Sequence, residues 1–149
     1  MTTIALRFGE HFAPECGTIL AHQQLIYEKG YVWYGKMGNR IADKVRKEIL
    51  GDTGCKILLI RSGYAERYWA TVESISDNPE DITAVPSYYR DDKEKFKTWF
   101  KITSFEEAPR DIMSKCVVTS SGQLLGNVSK HSMSPYFKIE YKGDKLRNE

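Results

Sequence analysis

The sequence lacks the residue patterns that build metal sites and disulfide frameworks. Its three cysteines, Cys16, Cys55 and Cys116, are far apart and include no C-x-x-C pair. Its three histidines are scattered, with no H-E-x-x-H pattern. We therefore predict no metal ion and no cofactor. Unpaired cysteines are typical of a reduced environment, so we expect a cytoplasmic protein.

Long apolar runs and a strong excess of one charge are also missing. No run approaches the roughly 20 residues that cross a bilayer. The opening MTTIALRFGEHF has no basic start followed by an apolar core. These absences predict neither a membrane span nor a signal peptide. The net charge of +2 excludes a globally basic nucleic-acid binder, but it is compatible with a local basic patch.

Catalytic signatures are equally scarce. There is no G-x-S-x-G elbow, and GKMGNR is too short to be a phosphate-binding P-loop. A Cys-His or Ser-His nucleophile stays open, because such partners are often distant in sequence. We predict that the chain is not an enzyme.

Aromatic residues, in contrast, are abundant, at 12% of 149 residues. Such a surplus fits an aromatic core, but rings also build surfaces on which bases stack. The segment GYVWYGKMGNR (30–40) raises this question most directly, since a strand-like Trp-Tyr pair runs into glycines and cations. Trp33 is equally explained as a core residue and as one wall of a site for a flat ring.

The periodicity of the chain predicts an α+β fold. In NRIADKVRKEILG (39–51), Ile41, Val45 and Ile49 fall on one helical face, and Asn39 is placed to cap the helix. CKILLIR is typical of a strand buried on both faces. We expect a curved mixed sheet of about six strands, closing towards a barrel and flanked by two or three helices. One domain is predicted over 1–141, with 142–149 as a polar tail or the start of a linker.

The segment FKTWFKITSF (96–105) alternates like a strand with two different faces. One face is predicted to carry Phe96, Thr98, Phe100 and Ile102. The other face is predicted to carry Lys97, Trp99, Lys101 and Thr103. The second face sets a ring between two cations, which suits a nucleic-acid backbone. Before this strand, residues 77–95 are predicted to form a long loop of the kind that is often functional.

Residues 30–109 resemble the PUA-like superfamily, and within it the EVE and YTH domains that read methylated bases. The resemblance is carried by the segments VWYGKMGN, ADKVRKEIL, KILLIRSG, YWATVESI and KFKTWFKITSFEEAP. It extends to the modification-reading N-terminal domains of McrB-type restriction systems. It implies a PUA-like fold and a modified base that leaves the stack and enters an aromatic cage.

The resemblance also implies which residues would bind a base. Trp33 matches the first cage Trp, and Phe96 stands where the family has another Trp. The remaining pocket residues would be Tyr88, Tyr89, Ser62 and Gly63. Core packing is an equal explanation for Trp33 and the favoured one for Phe96. Phosphate contacts are assigned to Lys36, Arg40, Arg61, Lys97, Trp99 and Lys101.

These observations give one leading hypothesis for function. The chain is predicted to be a non-catalytic domain that binds a modified base in nucleic acid, in DNA rather than RNA. It would act fused to, or together with, a restriction motor or nuclease. One alternative is an RNA-binding or RNA-cleaving enzyme of the PUA-like/ASCH group. Another is a module that binds a small molecule or a protein.

Overall fold

A computed structural model describes residues 1–8, 17–51, 55–61, 66–87, 93–132 and 134–142. Within these residues, seven strands form one open mixed sheet in the order β2-β5-β4-β3-β1-β7-β6. The strands are β1 (Thr2–Phe8), β2 (Val32–Met37), β3 (Lys56–Arg61), β4 (Arg67–Ser76), β5 (Phe96–Glu107), β6 (Cys116–Val118) and β7 (Tyr136–Tyr141). β1 and β3 pair in parallel, and every other pairing of these strands is antiparallel.

Three α-helices occur in the described parts of the chain, which agrees with the two or three expected. They are α1 (Thr18–Lys29), α2 (Asp43–Gly51) and α3 (Leu125–His131). Short 3₁₀ turns cover Ile82–Ala84, Lys93–Lys95 and Ile112–Ser114. α1 ends at Gly30, whose φ of 88° lies in the left-handed region that favours glycine.

One face of the sheet carries the largest core cluster and is covered by α1 and α2. Ile19 of α1 and Ile49 of α2 pack there against alternate residues of five strands. Ile41, Val45 and Ile49 all contact this cluster, as their helical spacing predicts. The strand members are Ile4, Leu6, Phe8, Val32, Tyr34, Ile57, Leu59, Ala70, Val72, Phe100 and Ile102.

The opposite face carries two separate clusters. Beneath α3, Leu58 and Ile60 of β3 pack with Ala5, Phe137 and Leu125. β3 is therefore buried on both faces, as its continuous apolar run predicts. At the other end of the strand order lies the β2–β5 aromatic cluster, which consists of Trp33, Ala84, Val85, Phe96 and Trp99.

The sheet is strongly curved. The ammonium nitrogen of Lys36 on β2 lies 5.1 Å from the centre of the Tyr136 ring on β7. Four strands separate β2 from β7 in the order of the sheet, so this contact crosses the opening between its ends. The expected curved mixed sheet is confirmed, with seven strands in place of about six.

The predicted start of α2 is wrong. The helix begins at Asp43, and Arg46 N donates to Ala42 O over 3.1 Å, so Asn39 is too early to cap it. The chain turns at Gly38 (φ 82°) and then extends, so that Ile41 N donates to Thr98 Oγ1 over 3.0 Å. Tertiary contacts with β5 therefore hold residues 39–42 outside the helix.

The prediction of which residues share a face of β5 is also wrong at the start of the strand. Lys36 pairs with Thr98 but Met37 pairs with Phe96, so Lys97 is an extra residue in a bulge. The bulge moves Phe96 to the face of Trp99, away from Phe100 and Ile102. Trp99 is fully buried, so Lys97, Trp99 and Lys101 do not form one accessible face.

Among the described residues, no helix has the length and apolar character needed to cross a membrane. β7 ends at Tyr141, at the predicted end of the domain. Of the predicted tail 142–149, only residue 142 lies in the described part of the chain, so this boundary stays a prediction.

Candidate functional site

Three aromatic side chains meet in the β2–β5 aromatic cluster. Trp33 is 1% exposed, Phe96 7% and Trp99 0%. The ring centres of Phe96 and Trp99 are 5.4 Å apart, with an interplanar angle of 48°. The structure thus brings two predicted pocket residues, Trp33 and Phe96, together with a residue predicted to contact phosphates. In this state the rings pack on one another and are sealed from solvent.

A glycine on β2 makes room for these rings. A Cβ atom at Gly35 would lie 2.8 Å from Phe96 Cδ1 and 2.9 Å from Trp99 Cζ3. Both distances are shorter than carbon atoms tolerate without a shift of the rings. Gly35 pairs with Trp99 across the strands, so the missing side chain allows both rings to lie against the β2 backbone.

Residues 81–85 cover the cluster. Ala84 and Val85 are both fully buried against the rings. Asp81 holds this cover in place, because its carboxylate accepts a 3.1 Å hydrogen bond from the Tyr31 hydroxyl and a 2.9 Å bond from Thr83 N. The hydrogen bond to Asp81 raises the pKa of Tyr31. Hydrogen bonds from Thr83, first from its hydroxyl, lower the pKa of Asp81.

The indole nitrogen of Trp33 has no hydrogen-bond acceptor within the described residues, although it is buried. Trp carries a donor that is normally satisfied when the ring is inside a protein. Leaving such a buried donor without a hydrogen bond costs about 1–3 kcal/mol. The N–H of Trp33 is therefore a buried polar group that the apolar packing does not explain.

Two cations of β5 lie beside the cluster in different environments. Lys97 is exposed and has no ion-pair partner in the described part of the chain. Lys101 is half-buried, with Nζ 3.4 Å from Glu73 Oε1 and 4.5 Å from the centre of the Tyr31 ring. Lys97 is thus available for a phosphate, whereas Lys101 is already engaged.

Lys36 is 4% exposed and points into the curved sheet. Its ammonium donates to Met37 O over 3.0 Å and to Asn39 O over 3.1 Å. Burial lowers the pKa of Lys36, because the charged form loses its hydration. The ammonium of Lys36 is therefore already engaged by two backbone carbonyls and by the Tyr136 ring.

The other predicted phosphate contacts are engaged by carboxylates. Arg40 lies 2.6 Å from Asp43 and 2.7 Å from Asp77, and these hydrogen bonds raise the pKa of Arg40. Arg61 Nη1 lies 2.9 Å from Glu66 Oε1. A phosphate at either arginine would have to compete with its acidic neighbours.

Four predicted pocket residues lie outside the described residues, and their roles stay predictions. These are Ser62, Gly63, Tyr88 and Tyr89.

A groove at the other end of the strand order was not predicted. It has a volume of about 720 Å³ and lies between α3 and the β6–β7 pair; we call it the α3 groove. Its lining is Val118, Thr119, Ser120, Ser121, Gln123, Asn127, Val128, His131, Ser132, Ser134, Tyr136, Phe137 and Lys138. The signal in the sequence is charge: residues 112–142 hold four lysines and one acidic residue, Glu140.

Two buried titratable groups are structural. His22 Nδ1 donates to Thr18 O over 2.7 Å, and burial lowers the pKa of His22 to about 4. Burial raises the pKa of the Cys116 thiol to about 12, so that it stays protonated. No group of His, Cys, Asp or Glu in the described ranges is arranged to hold a metal ion.

The curved mixed sheet, with α1 and α2 packed on one face, defines an α+β domain. A family model, Pua-like, matches residues 4–148. The chain therefore belongs to the Pua-like family, which confirms the superfamily suggested by the resemblance. Comparisons with the curated proteins and with the solved structures gave no match. The narrower resemblance to EVE and YTH domains stays a prediction.

Proposed function

We propose that this domain is a non-catalytic reader of a methylated base in DNA, and that the base binds at the β2–β5 aromatic cluster. The buried indole N–H of Trp33 carries the proposal, since no acceptor faces it among the described residues. A carbonyl oxygen or ring nitrogen of a base would supply that acceptor. The Phe96 and Trp99 rings, with centres 5.4 Å apart, would supply stacking surfaces.

Entry of a base requires a change in the cover. The rings of Trp33 and Trp99 are at most 1% exposed, so a base reaches them only when residues 81–85 move away. The contacts to be broken are the Tyr31–Asp81 hydrogen bond and the packing of Ala84 and Val85. Stacking recovers roughly 1–3 kcal/mol per base, and burial of a methyl group adds about 0.8 kcal/mol.

The strand carrying the base would be held by cations outside the cluster. Lys97 is exposed beside Phe96, and Lys101 lies above the Tyr31 ring. In the proposed setting the domain directs a modification-dependent restriction system to modified DNA. The support for DNA and for this setting is the resemblance of residues 30–109 to the readers of such systems.

The test is a binding titration with Trp33→Phe, which keeps a ring and removes the N–H. Oligonucleotides carry methyladenine, methylcytosine, hydroxymethylcytosine or no modification, at one stated salt concentration. We expect the unaltered protein to prefer one modified strand. Trp33→Phe should bind that strand about tenfold more weakly, the value of one hydrogen bond of about 1.4 kcal/mol.

Trp69→Phe is the matched control, because Trp69 is also buried, at 7% exposure, in the cluster beneath α3. It should leave the preference unchanged. Equal affinity for modified and unmodified strands would refute the reading function. Cleavage of RNA in the same mixtures without added metal would favour the alternative enzyme of the ASCH group.

A further inference from the structure

The α3 groove has the composition of a surface for a polyanion. Its lining combines hydroxyl and amide side chains with the aromatic residues Tyr136 and Phe137, and contains no carboxylate. Ser, Thr, Asn and Gln commonly donate to phosphate oxygens. The volume of about 720 Å³ lies in the range of ligand sites in proteins.

The charged residues near the groove also favour an anionic ligand. Residues 112–142 contain four lysines and one acidic residue, whereas the whole chain has 22 basic and 20 acidic residues. Two of these four lysines are paired with carboxylates: Lys138 Nζ lies 2.9 Å from Glu48 Oε2, and Lys115 Nζ lies 3.2 Å from Asp111 Oδ2. Lys130 and His131, in the last turn of α3, are exposed, as is Lys142. Lys130 thus adds a positive charge at the end of the helix that forms one side of the groove, and His131 lies in the lining itself.

The rim along α3 is fixed by an arginine from the first strand. Arg7 donates to the carbonyl oxygens of Ser129, Ser132 and Ser134 at 2.8, 2.7 and 2.9 Å. Its guanidinium also lies 5.4 Å from the centre of the Phe137 ring. These charge-assisted bonds satisfy the carbonyls at the end of α3 and hold the chain that follows it.

The facing rim is a closed turn. Val118 N donates to Gln123 O over 2.9 Å, and Gly122 N donates to Val118 O over 2.8 Å. The side chains of Ser120, Gln123, Asn127 and His131 make no hydrogen bond within the described residues. Preformed rims and available polar groups reduce the ordering cost of binding.

We infer that the α3 groove binds a single-stranded segment of nucleic acid through its phosphates, independently of base modification. The inference extends the proposed function, because the groove would hold the strand while the β2–β5 aromatic cluster reads one base. Hydroxyl and amide donors contact phosphates in DNA and in RNA, so both polymers are expected to bind.

The experiment inserts negative charge into the groove with little change of shape. The variant combines Gln123→Glu with Asn127→Asp, and the control combines Gln23→Glu with Gln24→Glu on the exposed side of α1. Single-stranded DNA and RNA of one sequence, modified and unmodified, are titrated at two salt concentrations. The groove variant should bind every strand about tenfold more weakly than the unaltered protein at low salt. The loss should shrink at high salt.

The two proposals can fail separately. If the groove variant weakens all strands while no modified strand is preferred, the groove stands and base reading fails. If the variant binds like the unaltered protein, or if the α1 control loses as much affinity, the groove inference is overturned. A loss confined to the modified strand would also overturn it, since phosphate contacts do not read modification.

Discussion

The β2–β5 aromatic cluster and the α3 groove lie at opposite ends of the strand order and are built in opposite ways. The cluster is a set of rings sealed beneath residues 81–85, with exposures of 7% or less. The groove is open, and its lining mixes polar side chains with apolar and aromatic ones such as Val118, Val128, Tyr136 and Phe137. A sealed apolar site gains most from a ligand that brings a ring, whereas an open site with exposed hydroxyl and amide groups can also bind a ligand that brings hydrogen-bond acceptors. One small domain therefore offers two kinds of contact to a single strand.

The two regions also differ in how the backbone creates them. The cluster depends on a bulge at Lys97 and on the missing side chain of Gly35, which together bring Phe96 and Trp99 onto β2. The groove depends on a short helix whose last carbonyls are held by Arg7. Changes to the rings of the first region should disturb the core, whereas changes to exposed side chains of the second should affect binding more than stability.

The largest expected effect tests this difference directly. Trp33→Ala removes a fully buried ring and should lower the free energy of unfolding by about 3–5 kcal/mol. Asn127→Ala, at an exposed position of the groove, should change it by less than about 0.5 kcal/mol. Urea denaturation of both variants measures these two changes in the free energy of unfolding. Similar losses for the two would show that the regions do not differ in stability.

The next effect depends on pH. The pKa of His22 is about 4 in the folded protein and 6.5 in the unfolded chain, so the unfolded chain binds the proton first as pH falls. Stability should therefore decrease between pH 6.5 and 4, by up to about 3 kcal/mol from this group, with no further change below pH 4.

Variants separate His22 from the carboxylates that titrate over the same range. His22 contacts Tyr34 of β2, with ring centres 4.9 Å apart, so acid should weaken the end of the sheet that carries the aromatic cluster. His22→Gln should flatten the dependence of unfolding free energy on pH. His131→Gln, at the exposed end of α3, is the control for removing a histidine outside the core.

The smallest pair of effects should have opposite signs. Gly35→Ala forces a carbon within 2.9 Å of two rings and should destabilise the fold by about 1–3 kcal/mol. Gly126→Ala, inside α3, meets Met113 Cβ at an ordinary 3.5 Å and should stabilise the fold by about 0.5–1 kcal/mol, through helix propensity. Thermal unfolding of both variants gives the signs. A gain in stability for Gly35→Ala would contradict this prediction and would mean that the two rings can move aside.

Much of the fold could be predicted because local pattern and tertiary packing agree there. The spacing of Ile41, Val45 and Ile49 predicts the buried face of α2, and all three contact the core. The run Ile57–Ile60 predicts a strand buried on both faces, and its residues divide between two clusters. Such segments follow one periodicity throughout, so their structure and buried face can be predicted without knowing which distant residues they contact.

The structural predictions fail where contacts with residues distant in sequence determine the local structure. Nothing local marks Lys97 as a bulge, because the shift depends on pairing with Lys36 and Met37. α2 starts late because Thr98 holds Ile41 N. α3 lies in a segment rich in glycine and serine, and Arg7 supports its end from far away in sequence.

The candidate site shows the same division. Trp33 and Phe96 were assigned to a base pocket from the resemblance of residues 30–109; they lie in one cluster, and their role in binding stays a prediction. The predicted role of Trp99 assumed strict alternation, which the bulge at Lys97 breaks. Asp43 is a near neighbour of Arg40 in sequence, but Asp77 reaches Arg40 from 37 residues away, which composition cannot reveal.

The place of β1 in the sheet has a consequence for how the chain acquires its structure during synthesis. β1 lies between β3 and β7, so the ribosome releases it long before the partner at Tyr136–Tyr141 exists. At 5–20 residues per second, several seconds pass with one edge of an apolar strand unpaired. Such an edge can pair with another chain. Overexpression at lower temperature, or together with a chaperone, should therefore raise the soluble yield.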